Sequence, residues 1–88
     1  VLTVLMATLP EAELARRMAD SDALVVMKIG RNFGRLCRAL QSAGRFEAAW
    51  LVEYAAMPGQ KVTRLAEVTV ETVPYFSIVI VHGQGRRP

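Results

Sequence analysis

Three segments of the chain are apolar almost without alternation, and they lie at Val1–Met6, Ala23–Ile29 and Ser77–Val81. Continuous apolar runs of this length are typical of strands that are buried on both faces, as happens when helices cover a sheet from each side. A further strand is expected at about Ala49–Tyr54. The pattern therefore predicts a sheet whose strands lie largely in the interior.

The segments that separate these strands have the spacing of amphipathic helices. In the first, Leu14 and Met18 fall on one face, and Thr8 and Glu11 have the spacing of a capping box. In the second, Asn32 is the expected N-cap. Apolar residues at i, i+3, i+4 and i+7 form its stripe: Phe33, Leu36, Cys37 and Leu40. Gly44 fits a C-terminal cap.

The order strand–helix–strand–helix–strand predicts consecutive β-α-β units. Residues 60–73 mix apolar and polar positions, which favours one or two half-exposed, antiparallel strands. The fold class predicted is thus α/β, as a single small domain with a mixed, mostly buried sheet flanked by helices. The domain is expected to span residues 1–82, and residues 83–88 are expected to form a flexible, basic tail.

The composition indicates that one face of this domain is covered by something else. Apolar residues make up 52% of the chain before its six glycines are counted, whereas about 45–50% with glycine is typical. A second domain, a partner subunit and a large ligand would each explain the surplus. The chain also opens inside the apolar run Val1–Met6, so we expect it to be a piece of a longer protein. No run reaches the ~18 apolar residues of a membrane helix.

Charge and cysteine content narrow the possible partners. The net charge is +3, but the basic residues are scattered and few aromatic residues accompany them, which disfavours nucleic-acid binding. Cys37 is the single cysteine, so no internal disulfide can form. This favours a reducing compartment such as the cytoplasm.

No catalytic residues and no metal site are predicted from residue types alone. His82 is the one histidine and has no neighbouring Cys or carboxylate, so an exposed strand-end residue is expected there. Cys37 lies on the apolar stripe and is expected to pack rather than react. Residues Gly30–Gly34 follow a strand but lack the spacing of a phosphate-binding loop.

Three ordered segments together resemble the C-terminal domain of the tetrapyrrole (corrin and porphyrin) methylases. They are Ala23–Gly30 (ALVVMKIG), Val52–Val62 (VEYAAMPGQKV) and Val73–Val81 (VPYFSIVIV). Within the family, Met27-Lys28 and the sequence beginning at Pro74 are most similar to the branch that methylates precorrin-2 on the route to cobalamin.

The resemblance implies an S-adenosylmethionine-dependent methyltransferase of class III, in which the cofactor lies in a cleft between two α/β domains. It implies a tetrapyrrole substrate and a homodimer. Eight residues are expected to face the cofactor from this chain: Met27, Lys28, Ile29, Ala55, Ala56, Pro74, Tyr75 and Phe76. Cofactors held largely by main chain need such small or main-chain-exposing residues at strand ends.

Two residues depart from the family's pattern. Tyr54 stands where Arg is frequent, and Ala56 stands where Thr is frequent, so a contact at these positions is an open question. The N-terminal domain of the family is not represented in the sequence. A non-enzymatic α/β module that pairs with itself or a partner through an apolar face is kept as an alternative, because the chain is short and its apolar fraction is high.

Overall fold

The computed structural model describes residues 2–54, 56–68, 73 and 77–83, and the structural statements that follow concern these residues. They form five strands and two α-helices, joined in three places by short 3-10 turns. The strands are β1 (Leu2–Met6), β2 (Ala23–Met27), β3 (Ala49–Glu53), β4 (Lys61–Arg64) and β5 (Ile78–Val81). The helices are α1 (Glu11–Asp20) and α2 (Phe33–Ser42), and the 3-10 turns are Gly30–Asn32, Phe46–Ala48 and Leu65–Glu67.

The strands form one mixed sheet in the order β1-β2-β5-β3-β4. β1 and β2 are parallel, which is the consequence of the helical crossover through α1. β5 lies between β2 and β3 and is antiparallel to both, and β4 pairs antiparallel with β3 at the edge. The α/β class and the mixed sheet predicted from the sequence are thus confirmed. The pattern had not indicated that the last strand is inserted between β2 and β3.

The core lies between one face of the sheet and the two helices. Leu24, Val26 and Val79 from the sheet are fully buried, as are Leu14 and Leu36 from α1 and α2. The helical stripes are therefore confirmed, although Cys37 is only partly buried and Ala39 is fully buried in its place.

The prediction that helices cover the sheet from both sides is wrong for the part of the chain that the structure describes. β1 shows this most clearly, because Leu2, Val4 and Met6 are 58%, 53% and 40% exposed. Their side chains point away from the helices, since alternate residues of a strand face opposite sides.

The capping box predicted from Thr8 and Glu11 does not form. α1 begins at Glu11, its N-cap is Pro10, and no side chain caps it. Thr8 instead lies in a turn in which Leu9 N donates to Met6 O at 3.1 Å. The Glu11 carboxylate accepts a hydrogen bond from Arg38 of α2 at 2.8 Å, so it pairs between the helices rather than with its own helix end.

Gly44 ends α2 as predicted. Its φ is +72°, a conformation that costs glycine little. The amide of Gly44 donates to Gln41 O and that of Arg45 donates to Leu40 O, which together form a Schellman motif. The similar prediction for Asn32 is only half confirmed, because Asn32 is the N-cap of α2 but makes no capping bond.

Arg45 is the unexpected member of the interior, with a 2% exposed side chain. Its guanidinium donates to the carbonyl oxygens of Met18, Ser21 and Asp22 at the end of α1, and to His82 O after β5. Nothing in the sequence pattern indicates this role, since Arg45 resembles the other scattered basic residues. One side chain thus joins a helix end to a strand end.

The segment after β3 matches the sequence pattern in part. One strand, β4, forms there and is antiparallel, as predicted for residues 60–73. A 3-10 turn follows and buries Leu65, while residues 69–72 lie outside the described part of the chain. Among the described helices, none is long and apolar enough to cross a membrane.

Candidate functional site

The candidate site is the edge of the sheet at which β1, β2 and β3 end. These three strands run in one direction, because β1 is parallel to β2 and both β2 and β3 are antiparallel to β5. In the register, Val26 pairs with Val79 and Val52 pairs with Ile78. The carboxyl ends of β2 and β3 therefore lie beside the amino end of β5.

We call this the strand-end edge and define it by Met27–Ile29, Tyr54, Ala56 and Ser77. The carboxyl ends of strands are the usual ligand edge of α/β sheets. Segments that are 21 or more residues apart in the sequence thus meet here, and they belong to the three segments on which the family resemblance depends.

Backbone strain is concentrated at this edge. Among the described residues other than glycine, those with positive φ are Lys28 at 60°, Tyr54 at 53° and Ala56 at 61°. Each follows the carboxyl end of a strand. A left-handed conformation costs such residues about 1–2 kcal/mol, and strain of this kind is found preferentially at ligand-binding sites.

Met27, Lys28 and Ile29 form a fixed turn at the end of β2. Met27 O accepts a hydrogen bond from Ala7 N at 2.8 Å, and Ile29 O accepts one from Asn32 N at 2.6 Å. The side chain of Met27 is 39% exposed and that of Lys28 is exposed, whereas that of Ile29 is fully buried. Of these three residues, Ile29 could therefore face a ligand only through its main chain.

The neighbouring turn at the end of β1 is held against this one by α2. Arg35 Nη1 lies 3.3 Å from each of three carbonyl oxygens, those of Ala7, Thr8 and Leu9. Because Ala7 also donates to Met27 O, Arg35 indirectly fixes the end of β2.

Ala56 lies in the β3–β4 connection, which is closed by local hydrogen bonds. Met57 N donates to Tyr54 O at 2.9 Å, and Gln60 Oε1 accepts from Ala56 N at 2.7 Å. The Ala56 amide is therefore already used within the chain. Ala56 and Tyr54 are both exposed, so a small and a large side chain stand side by side at the edge.

Four of the predicted site residues, Ala55, Pro74, Tyr75 and Phe76, lie outside the described residues. Described residues lie on either side of residue 55 and of residues 74–76. Tyr54 and Ala56 flank the first, and Val73 and Ser77 flank the second.

Ser77 is a candidate that the sequence analysis missed. It is 2% exposed, and its hydroxyl has no hydrogen-bond partner among the described residues. A buried hydroxyl without a partner costs about 1–3 kcal/mol, so Ser77 is a candidate for a hydrogen bond that forms only when another molecule or segment reaches this edge. The signal in the sequence was a polar residue that opens an otherwise apolar strand.

The other chemically active side chains lie away from this edge. Cys37 is half-buried, and its burial raises the pKa of the thiol, which disfavours the reactive thiolate. His82 is exposed at the opposite end of β5. No group of three or more His, Cys, Asp or Glu side chains that could hold a metal ion occurs within the described ranges.

Comparison with known proteins gives the following relatives. No family model matches the chain. It is 48% identical over 88 residues to the precorrin-2 C(20)-methyltransferase of a Sinorhizobium species, and 39% identical over 85 residues to the cobalt-precorrin-2 C(20)-methyltransferase of Salmonella typhimurium. It is 46% identical over 87 residues to the cobalamin biosynthesis protein CobIJ of Mycobacterium bovis.

These matches cover 100%, 94% and 99% of the chain, respectively. The chain spans 36% of the length of each of the two methyltransferases and 17% of CobIJ. Among solved structures, the crystal structure of the methyltransferase CobJ is similar, with a TM-score of 0.68 and 19% identity. The match covers 99% of this chain and 43% of the CobJ chain. This likeness supports the fold alone.

Proposed function

Because this chain belongs to the tetrapyrrole methylase family, we propose that it is part of an S-adenosylmethionine-dependent precorrin-2 C20-methyltransferase and forms one wall of its cofactor cleft. The single observation that carries the proposal is the strand-end edge. Residues 27–29, 54–56 and 77 come from the three resembling segments, and the fold brings their described members to one side of the sheet. Ordinary core packing would not require strained residues there.

The residues at the edge fit S-adenosylmethionine, which would supply a methyl group on a sulfonium sulfur. The exposed part of Met27 offers apolar contact, while Lys28, Tyr54 and Ala56 present strained main chain. The Ser77 hydroxyl, which has no partner among the described residues, is proposed to bond a polar group when the ligand is in place. Ala55, Pro74, Tyr75 and Phe76 are proposed to complete this wall, together with the main chain of Ile29.

The reaction requires little acid–base chemistry from this chain. Methyl transfer to a nucleophilic substrate carbon is an in-line displacement that depends on positioning and on the exclusion of water. A rigid wall serves such a reaction, and the hydrogen bonds of Met27 and Ile29 with Ala7 and Asn32 make the wall rigid. The other wall would come from the rest of the enzyme.

The proposed substrate, precorrin-2, is a tetrapyrrole with many carboxylates. The chain has a net charge of +3, and Lys28 and Arg31 are exposed at or beside the strand-end edge. Positive charge at the mouth of a cleft attracts a polyanionic substrate. The enzyme would act in the cytoplasm, as the single cysteine of this chain favours.

Calorimetric titration of the full-length enzyme with S-adenosylhomocysteine tests the proposal. We expect one cofactor site per chain. The matched pair is Ala56→Leu, which places a large side chain at the edge, and Ala48→Leu, at an exposed position after α2. The first variant should weaken binding at least tenfold and the second should not. Absence of binding by folded full-length protein would overturn the proposal.

A second candidate is a non-enzymatic module that pairs with itself or a partner. The exposed apolar side chains of β1 favour it, and the resemblance also leads us to expect a homodimer. Sedimentation of the 88-residue chain over a range of concentrations tests self-association. Binding of S-adenosylhomocysteine by the chain at its strand-end edge would count against a purely non-enzymatic role.

A further inference from the structure

The connection between β3 and β4, residues 54–60, carries part of the strand-end edge but has no buried side chain among its described residues. Its base is closed by Glu53 and Lys61, which form the last pair of the two strands. Residues 54 and 56–60, which the structure describes, are all exposed. Segments with few buried apolar contacts and solvent-exposed hydrogen bonds open easily. The conformation of this connection must therefore depend on its own polar bonds.

That conformation is unfavourable for two of the residues that adopt it. Tyr54 and Ala56 have φ values of 53° and 61°, in a left-handed region that residues with a side chain enter only at a cost in free energy. Gly59, at 87°, adopts its positive φ at little cost. Without a compensating interaction, the main chain at Tyr54 and Ala56 would relax toward more favourable conformations.

The side chain of Gln60 provides such an interaction. Its Oε1 accepts a hydrogen bond from Ala56 N at 2.7 Å, which is at the short end of the usual range for such bonds. Two main-chain bonds accompany it, from Met57 N to Tyr54 O at 2.9 Å and from Gln60 N to Met57 O at 3.1 Å. The Gln60 side chain thus bonds directly to the main chain of a strained residue.

Gln60 also links this connection to the sheet. It directly precedes Lys61, the first residue of β4, whose partner Glu53 is the last residue of β3. Its main chain therefore lies at the end of a strand, while its side chain reaches back to the middle of the connection. We propose that Gln60 is a positioning residue that holds the main chain at Ala56 in its left-handed conformation before the cofactor binds. This inference rests on the proposed function, in which Ala55 and Ala56 belong to the cofactor wall.

The size of the effect depends on the fraction of molecules in which the wall is preformed. A ligand that binds one conformation has an apparent affinity reduced by the fraction of the protein in that conformation. Loss of the Gln60 bond should weaken cofactor binding about threefold to tenfold. This change corresponds to about 0.6–1.4 kcal/mol, which is the net value of a typical hydrogen bond.

Calorimetric titration of full-length variants with S-adenosylhomocysteine tests the inference. Gln60→Met nearly keeps the length of the side chain but removes the acceptor oxygen, so the Kd should rise about threefold to tenfold. Gln60→Glu retains an acceptor oxygen and should restore the Kd to within about twofold of the wild type. Gln41→Met, at an exposed position of α2, is the matched control and should bind as the wild type does. The number of sites should stay the same, whereas misfolded protein would reduce it.

Hydrogen–deuterium exchange without ligand gives an independent readout of the same bond. In Gln60→Met, peptides that contain residues 54–60 should exchange about threefold to tenfold faster than in the wild type, because the connection opens more often. In Gln60→Glu they should exchange as in the wild type, and peptides from α1 should be unchanged in both variants.

Two results would overturn the inference. The first is unchanged affinity in Gln60→Met, or an equal loss of affinity in Gln60→Met and Gln60→Glu. The second is equal exchange of residues 54–60 in Gln60→Met and the wild type. Absence of binding by the folded wild type would instead contradict the proposed function, and exchange alone would then decide whether Gln60 holds the connection.

Discussion

At the scale of single residues, the strand-end edge is distinguished by strain rather than by catalytic groups. Lys28, Tyr54 and Ala56 adopt a conformation that glycine would adopt at lower cost, yet none of them is glycine. Their side chains are all exposed, so packing does not explain them. The strain is consistent with a main chain shaped for a ligand.

Replacement of Ala56 by glycine should therefore stabilise the chain. The variant Ala56→Gly removes a methyl group at φ +61°, and we expect a gain of about 0.5–1 kcal/mol in the free energy of unfolding. Ala12→Gly, in the first turn of α1, is the matched control and should lose about that amount. Denaturation by urea measures both, and a loss of stability in both variants would contradict the strain at Ala56.

Replacement of Ser77 by alanine distinguishes a structural role of this side chain from a ligand-binding role. Its hydroxyl is buried without a partner among the described residues, so Ser77→Ala should leave stability unchanged or raise it by about 1 kcal/mol. If the hydroxyl bonds the cofactor, affinity of the full-length protein for S-adenosylhomocysteine should fall about fivefold to tenfold. The exposed Ser42→Ala variant is the control for both measurements.

For Ser77, two outcomes would argue against the ligand-binding role. A loss of stability in Ser77→Ala would show that the hydroxyl has a partner within the fold. Unchanged affinity in calorimetry, in a variant as stable as the wild type, would remove Ser77 from the cofactor wall.

At the scale of elements, sequence patterns predicted the strands and helices well where burial is one-sided or continuous. β2 and β5 were recognised because their runs are apolar, and α2 because its stripe has helical spacing. The capping box failed because the Glu11 carboxylate pairs with Arg38, a partner 27 positions away. Local spacing cannot report a contact that only the packing of α1 on α2 creates.

Arg45 connects the end of α1 to the end of β5, a role that the sequence pattern did not indicate. A buried cation is costly, yet here it donates to carbonyl oxygens of Met18, Ser21, Asp22 and His82. The carbonyl groups at the end of α1 lack partners within the helix, as in every helix. The guanidinium therefore caps α1 and fastens the α1–β2 turn to the end of β5.

Removal of this guanidinium should strongly reduce the stability of the fold. In Arg45→Met, the volume of the side chain is largely kept but several buried carbonyl groups lose their donor, so we expect a loss of about 3 kcal/mol or more. Arg31→Met, at an exposed position, should change stability by no more than about 0.5 kcal/mol. Equal small effects in urea denaturation would show that the Arg45 bonds do not hold the elements together.

At the scale of the whole molecule, the α/β class followed from the sequence but the layering did not. The apolar runs indicated burial on both faces, whereas the described residues supply helices for one face only. The apolar surplus of the sequence has its structural counterpart in the exposed apolar side chains of β1. Similarly, the insertion of β5 between β2 and β3, which assembles the strand-end edge, depends on pairing that no local pattern encodes.

The candidate site could be predicted from the sequence only through the family resemblance. Lys28 and Ala56 have no property in the sequence that marks them, because their shared features are a positive φ and a position at one edge. Residue types can indicate acid–base or metal chemistry, but a binding surface made of main chain and small side chains has no such signature in the sequence. Ser77 was therefore counted with the apolar strand that follows it.

The most direct test of a cofactor wall is hydrogen–deuterium exchange of the full-length protein with and without S-adenosylhomocysteine. We expect slower exchange on ligand binding in peptides that contain residues 27–29, 54–56 and 74–77, and no change in peptides from α1. Slower exchange confined to other regions, with these three segments unchanged in a protein that binds the ligand, would contradict the proposed cofactor wall.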